Sequence, residues 1–356
     1  MPVKQDTPDR MLILSVAGIG DFILGTPALR AIRRRFPQAQ LWMVTIPEAG
    51  PLAERCPHVD VVRNLDLRTA RSALLWSLGG RRRDLRRLIR ELREARFDIA
   101  MNLYQVATWA GGLRMAAFLW AVRPSLTVGR RSGGKGMGYD LASEEEGHEI
   151  EAQLAVARLI GATSADGLPE LWVTEDDARA CASLLERVGI SVSDRVACLH
   201  TGSAQPEKRW PAQRFVAVGR RLAEAGARVL LIGTERERGL CASVAEAIPA
   251  AVPLAGETSL PVLAALLRRA ALLVTNDSGP MHMAAALGVP LVVPFGPGTP
   301  GRFGPRGRAA CLVFAAPGQP GGPPWWEAVP AEPVADAAVR LWAEVADLPG
   351  APARSR

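Results

Sequence analysis

The sequence is poor in the residues that build disulfide scaffolds and metal centres. Its 356 residues include five cysteines and four histidines. Cys56, Cys181, Cys198, Cys241 and Cys311 are scattered, with no Cys-x-x-Cys pair. An odd count without ligand spacing excludes a disulfide-stapled scaffold and a structural zinc site, and fits buried thiols in a reducing cytoplasm. No Asp-x-Asp motif occurs, and the adjacent pair Asp176-Asp177 reads as the start of a surface helix. Aromatic residues make up 5% of the chain and form no basic platform of the RNA-binding type, so nucleic acid is not an expected partner. Long apolar runs are missing too. Met11–Leu29 is interrupted by Asp21 and by four glycines or prolines, which excludes a signal peptide. Val106–Val122 is broken by Arg114 and two glycines and is short for a membrane span, so it is expected to be a buried helix.

What is there is an ordinary globular composition, 48% apolar and 22% charged, in a chain long enough for two domains. Short Val/Leu/Ile runs alternate with Arg/Ala/Glu/Leu-rich stretches, as in parallel strands joined by helices. Expected strands include Met11–Val16, Leu41–Thr45, Asp98–Leu103, Val196–His200, Arg228–Ile232, Ala271–Thr275 and Leu291–Phe295. Between them, helices are expected at Phe22–Phe36, His148–Ile160, Pro211–Ala225, Glu235–Ile248, Ser259–Arg268, Pro280–Leu287 and Glu332–Val345. Residues 124–147 and 315–330 read as loops, and residues 1–10 and the tail after Gly350 as loose ends. The net charge of +7, carried largely by arginine, calls for an anionic partner: nucleic acid, lipid head groups or a phosphorylated substrate. Charge alone does not choose among them. Residues 80–96 form a basic amphipathic helix, with Leu85, Leu88, Ile89 and Leu92 on one face. Its arginine face is either simply solvated or in contact with anionic lipid or a phosphorylated acceptor.

The chemistry is expected at strand-to-loop junctions, where ligands bind in such sheets. Residues 17–21, Ala-Gly-Ile-Gly-Asp, follow the first strand. Gly18 and Gly20 allow a tight turn, but Ile23 stands where a dinucleotide fingerprint needs glycine, and Met43-Val44-Thr45 closes the second strand without an acid. A nicotinamide site is therefore disfavoured. Asp21 either caps the following helix or serves as a general base. Residues 201–211 (TGSAQPEKRWP) place small residues before Lys208 and Arg209, a pattern suited to a diphosphate or to a plain basic loop. At residues 275–288 (TNDSGPMHMAAALG) a strand, a turn and a small-residue helix present amides to an anion; Asp277 suits sugar hydroxyls, and His282 is either packed or functional. Glu235, after Gly233-Thr234, either holds a ribose or caps a helix. Trp325-Trp326 either pack on the C-terminal domain or form a platform for sugar or lipid.

Four stretches carry a family resemblance: residues 15–41 (SVAGIGDFILGTPALRAIRRRFPQAQL), 201–222 (TGSAQPEKRWPAQRFVAVGRRL), 254–270 (LAGETSLPVLAALLRRA) and 275–297 (TNDSGPMHMAAALGVPLVVPFGP). In order and spacing the chain resembles the lipopolysaccharide heptosyltransferases. The resemblance implies an α/β fold of GT-B type, two Rossmann-like αβα domains facing a central cleft. Residues 1–175 would hold the acceptor, residues 176–330 the nucleotide sugar, and residues 331–356 a last helix and tail. It implies an inverting transfer of a sugar, heptose from ADP-heptose, to a hydroxyl of a lipopolysaccharide-core or related glycan or glycolipid. By matching position, Asp21 would be the base and Gly18 and Gly20 the acceptor-side loop. Lys208 would meet the donor phosphates, Glu235 the ribose, and Asp277, Ser278, Gly279 and His282 the diphosphate and sugar, with Thr201 and Gly202 as small donor-loop residues. No cofactor and no obligatory metal are expected, since Lys208 and a helix amino end can neutralise the leaving diphosphate. The expected setting is cytoplasmic, with peripheral contact to an anionic membrane. Two other readings stand beside transfer, a nucleotide-sugar epimerase and a non-catalytic binder of nucleotide sugars or anionic glycans.

Overall fold

A computed structural model describes residues 7–65, 79–316 and 324–346. The first six residues, the tail after Gly350 and part of the 315–330 connection lie outside the described residues. The chain divides into two compact units, Met1–Pro169 and Glu170–Arg356. Among the described residues each unit carries one six-stranded parallel sheet.

The first sheet contains β1 (Arg10–Ser15), β2 (Gln40–Thr45), β3 (Val61–Asn64), β4 (Ile99–Asn102), β5 (Leu126–Arg130) and β6 (Leu141–Ser143), in the order β3-β2-β1-β4-β5-β6. Its helices are α1 (Ile19–Arg35), α2 (Gly50–Ala53), α3 (Gly79–Glu94), α4 (Trp109–Val122) and α5 (Glu149–Arg158). The second sheet contains β7 (Val196–His200), β8 (Arg228–Ile232), β9 (Val252–Pro253), β10 (Leu272–Thr275), β11 (Leu291–Phe295) and β12 (Cys311–Ala315), in the order β12-β11-β10-β7-β8-β9. Its helices are α6 (Glu175–Arg187), α7 (Ala212–Glu224), α8 (Arg238–Glu246), α9 (Leu260–Arg269), α10 (Gly279–Ala286), α11 (Pro300–Phe303) and α12 (Ala331–Ala346), the last packed on α7.

Both sheets run outward from a central pair of strands in the order of a dinucleotide-binding sheet. The central strands β1, β7, β10 and β11 are apolar on both faces and almost wholly buried, because helices cover each side of a parallel sheet. Two sequence expectations need correcting. Residues 124–147, expected as loop, contain β5 and β6; the strands are short and carry Thr, Gly, Arg and Ser, so they show no apolar run. Val106–Val122, expected as a buried helix, is a helix from Trp109 with only one buried face, since Met115, Leu119 and Val122 pack inward while Trp109, Leu113 and Trp120 are exposed. Among the described residues no helix is long and apolar enough to cross a membrane. Cys56, Cys181, Cys198 and Cys241 are buried as expected, and Cys311 is half-buried.

Candidate functional site

In the second unit β7 and β10 lie side by side, and the chain leaves them toward opposite edges of the sheet. Such a switch point leaves a crevice beyond the strand ends. Thr201, Gly202 and Ser203 continue from β7, and Asn276, Asp277, Ser278 and Gly279 continue from β10, so residues some 75 positions apart meet there.

One side chain joins the two segments. Asn276 is fully buried, and its Nδ2 donates to the carbonyls of Thr201 (2.9 Å) and Gly202 (3.1 Å). Its Oδ1 accepts from the Trp210 backbone amide at 3.0 Å. Within the loop, the Arg209 guanidinium donates twice to the Ser203 carbonyl, at 2.9 and 2.7 Å. Trp210 is buried, and its indole donates to Val329 O at 2.9 Å. Trp325 is buried against Gly296, and its indole donates to Glu207 O at 2.8 Å. Of the readings offered for the tryptophan pair, Trp325 therefore packs and anchors the loop.

This frame carries Lys208 to Asp277, where Nζ donates to Oδ2 at 2.6 Å. The Asp277 side chain is 6% exposed and that of Lys208 24%, so a cation waits at the rim above a buried carboxylate. Ser278 begins α10 in extended conformation without a side-chain cap bond. Its Oγ lies instead 3.1 Å from Nδ1 of His200 and donates to Asn276 O at 3.1 Å. Of the first-turn residues of α10, Pro280 has no N–H and the Met281 amide donates to Ser278 O at 3.1 Å, so the serine leaves the Gly279 amide to a ligand. His282 is buried on the same helix.

Past β8 the structure separates two carboxylates that look alike in sequence. Glu235 faces outward, its side chain 69% exposed and gripped by the Arg238 guanidinium at 2.8 and 2.6 Å. Glu237 faces inward and is 11% exposed. Its Oε2 accepts from the Thr234 amide (2.7 Å) and hydroxyl (2.8 Å) and lies 3.9 Å from His200 Nε2. Its Oε1 occupies the space beside Gly202, where a Cβ would come within 1.7 Å of it. Only glycine fits under a carboxylate held in this way. Glu237, His200 and Asn276 were not legible as site residues: their roles come from tertiary closure, and the only local signal was the Thr-x-x-Glu spacing of a capping box at Thr234.

The electrostatics of Glu237 give a testable consequence. Burial raises its carboxyl pKa, but His200 and the Thr234 amide and hydroxyl outweigh burial and hold it at about 2, against an ordinary 4.5. A depressed carboxylate contributes stability above its unfolded pKa and loses it as pH falls through the folded one. The wild type is therefore expected to lose stability between pH 4.5 and about 2 more steeply than Glu237→Gln. Urea midpoints measured across that window check this, and parallel slopes for the two proteins would refute it.

In the first unit the chain leaves β1 for α1, with Gly18 at the helix cap and Gly20 and Asp21 in the first helical turn. Asp21 Oδ2 accepts from the Gly18 amide at 2.9 Å, so the carboxylate is oriented by the first turn of α1. Its backbone carbonyl accepts from Gln153 Nε2 at 3.3 Å, and Gln153 in turn reaches Glu149 at 3.4 Å. Glu149 pairs with Arg130 through two 2.9 Å bonds, both side chains almost completely buried. Among the described residues no group of three or more His, Cys, Asp or Glu could hold a metal ion.

Comparison with known proteins places this geometry. Residues 85–319 match the model of glycosyltransferase family 9 (heptosyltransferase). Lipopolysaccharide heptosyltransferase 2 of Salmonella typhimurium is 27% identical over 323 residues, covering 85% of this chain and 87% of that protein. Among solved structures, the family 9 glycosyl transferase of Veillonella parvula superposes with a TM-score of 0.81 at 24% identity, covering 94% of this chain and 98% of that one. The E. coli ADP-heptose lps heptosyltransferase II superposes with a TM-score of 0.75 at 22% identity, covering 94% and 99%. The doubly wound units, the strand-end site and the family match over most of the chain lead to one assignment: this protein belongs to glycosyltransferase family 9, the heptosyltransferase family, and is a glycosyltransferase.

Proposed function

We propose that this glycosyltransferase moves a heptose from ADP-heptose to a hydroxyl of the lipopolysaccharide core, inverting the anomeric carbon. The observation that carries the donor side is the Lys208–Asp277 pair, held at the switch point by the Asn276 clamp. The sugar and acceptor follow the names of the relatives, a lipopolysaccharide heptosyltransferase and an ADP-heptose lps heptosyltransferase. Family membership favours transfer over the epimerase and the non-catalytic binder.

In this reading the acceptor oxygen attacks the anomeric carbon as the bond to the diphosphate oxygen breaks. Asp21 takes the hydroxyl proton, and ADP leaves with the bonding pair. Lys208 and the Gly279 amide at the positive end of α10 meet the developing charge on the diphosphate, so that no metal is obligatory. Thr201, Gly202, Ser278 and Gly279 line the diphosphate, and Asp277 and His282 the sugar. For the ribose we assign Glu237, whose carboxylate lies at the strand end, in place of the outward-facing Glu235. The enzyme would work at the cytoplasmic face of the membrane, where the exposed arginines of α3 meet anionic lipid.

A thermal-shift panel tests the donor, because a ligand that binds only the native state raises its transition. ADP and ADP-heptose are expected to raise it, and UDP, GDP and NAD are not. In Lys208→Ala the donor should bind about 1.5–3 kcal/mol more weakly, the scale of a charge-assisted hydrogen bond. A selective response to UDP or GDP would discard the heptose donor, and a response to NAD alone would overturn the whole reading.

A further inference from the structure

The solvent side of α4 is apolar. Trp109, Leu113 and Trp120 are 54%, 59% and 73% exposed, and they recur with exposed Ala117 at helical spacing along one stripe. The other side of the helix is already occupied by the core, through Met115, Leu119 and Val122. The glycine-rich segment 132–138 lies against the same helix: a Cβ on Gly134 would be 3.7 Å from the Trp109 ring, one on Gly112 3.5 Å from the Gly136 amide, and one on Gly138 3.3 Å from Ala116 Cβ. That packing sets Lys135 and the 41% exposed Met137 beside the stripe.

Cations predominate around this face, with Glu146 against Ser132 and exposed Asp140 beyond Gly138 at its edge. From Ile99 to Tyr139 the chain has no aspartate or glutamate, while it carries Arg114, Arg123, Arg130, Arg131 and Lys135. Arg130 and Arg131 are paired with Glu149 and Glu144. The Arg123 guanidinium lies 5.8 Å from the ring centre of exposed Trp120. Next to α4 packs α3, whose Arg83, Arg86, Arg87, Arg90 and Arg93 are exposed.

We propose that α4 and residues 132–138 dock on an anionic bilayer, with Trp109, Leu113, Trp120 and Met137 entering the boundary between head groups and acyl chains. Tryptophan suits that boundary because it has an apolar body and one polar N–H. Arg114, Arg123 and Lys135 reach the lipid phosphates at the same depth, and the arginines of α3 add long-range attraction. Charge complementarity selects this occupant over a second copy of the chain. A twofold contact would set this cation-rich face against itself, with no acid between Ile99 and Tyr139 to answer Arg114, Arg123 and Lys135. The inference extends the arginine-helix contact proposed above by adding an inserted apolar anchor. It does not depend on the donor or the acceptor glycan.

Flotation of the full chain with phosphatidylcholine vesicles, with and without phosphatidylglycerol and without any glycolipid, tests it. The wild type is expected to float with the anionic vesicles and not with the neutral ones. A Trp109→Ser, Leu113→Ser, Trp120→Ser variant, with every cation intact, should partition more than about tenfold less, since each lost apolar group forfeits its burial. Its unchanged thermal transition and ADP response would show that it is folded. Flotation equal to the wild type would overturn the proposal and leave contact to α3 alone. Absence of wild-type flotation, or a wild-type dimer that this variant turns into monomer, would overturn it as well. Because no glycolipid is present, failed heptose transfer alongside normal flotation would count against the enzymatic reading only.

Discussion

Asp21→Asn is expected to lower turnover by about two to four orders of magnitude, the range a positioned general base supplies, with donor affinity unchanged. The substitution is chosen for what it keeps. Asn can accept the Gly18 amide bond that Asp21 accepts at 2.9 Å, so the turn and the start of α1 retain their geometry. What it loses is the capacity to take a proton from the acceptor hydroxyl. Asp21→Ala removes both, and should add about 0.5–2 kcal/mol of destabilisation from the lost helix-start bond. The two effects separate in steady-state kinetics paired with thermal melts. A fall in kcat with an unchanged donor Kd and melting temperature in Asp21→Asn marks lost chemistry. Turnover near wild type would remove Asp21 from the mechanism.

Glu149→Ala should destabilise the first unit by about 3–5 kcal/mol, because it leaves the Arg130 charge buried without its partner. Arg130 and Glu149 are 1% and 2% exposed, so water cannot replace the lost carboxylate. The damage should also reach the turn that holds Asp21, through Gln153, which bonds both Glu149 and the Asp21 carbonyl. Lower turnover with an unaltered ADP shift is therefore expected, since every residue assigned to the donor lies in the second unit. Replacing both partners with apolar residues, as Arg130→Met with Glu149→Leu, should restore much of the stability, because burying two charges gains little over packing. Urea unfolding of the intact chain, followed at a probe in each unit, checks this. A Glu149→Ala protein as stable as the wild type would show that the pair is not the brace described here.

The elements easiest to read from sequence were those whose apolar runs or glycine turns are local. β1, β7, β10 and β11 are continuous apolar stretches, and the Gly18–Gly20 turn and the Asn-Asp-Ser-Gly turn follow two of them directly. β5 and β6 are hidden in the sequence because hydrogen bonding to a neighbouring strand, and no pattern of their own, makes them strands. α4 misled for the opposite reason: an apolar helix looks buried in sequence, and only packing reveals that one of its faces has no cover. Glu235 and Glu237 are two residues apart with the same chemistry. The 3-10 turn at Glu235–Glu237 decides which of them faces the strand end, and sequence alone carries no record of that turn's direction. Lys208 and Asp277 each stand out singly in the sequence. Their pairing at 2.6 Å needed the fold that brings β7 beside β10.

The Asn276 amide also bears on how this site could be re-engineered. Residues 201–202 and 210 are tied to one side chain, and Arg209 closes on Ser203 within that span. The intervening residues 204–207 form a closed bight whose second half is fixed as well, by the 3-10 turn Pro206–Lys208 and the Trp325 bond to Glu207 O. Lengthening a closed loop costs only about 0.6 kcal/mol per doubling. Extra residues are therefore best grafted between Ser203 and Gln205, ahead of the 3-10 turn, where Lys208 is expected to stay moored next to the knot and to keep its place over Asp277.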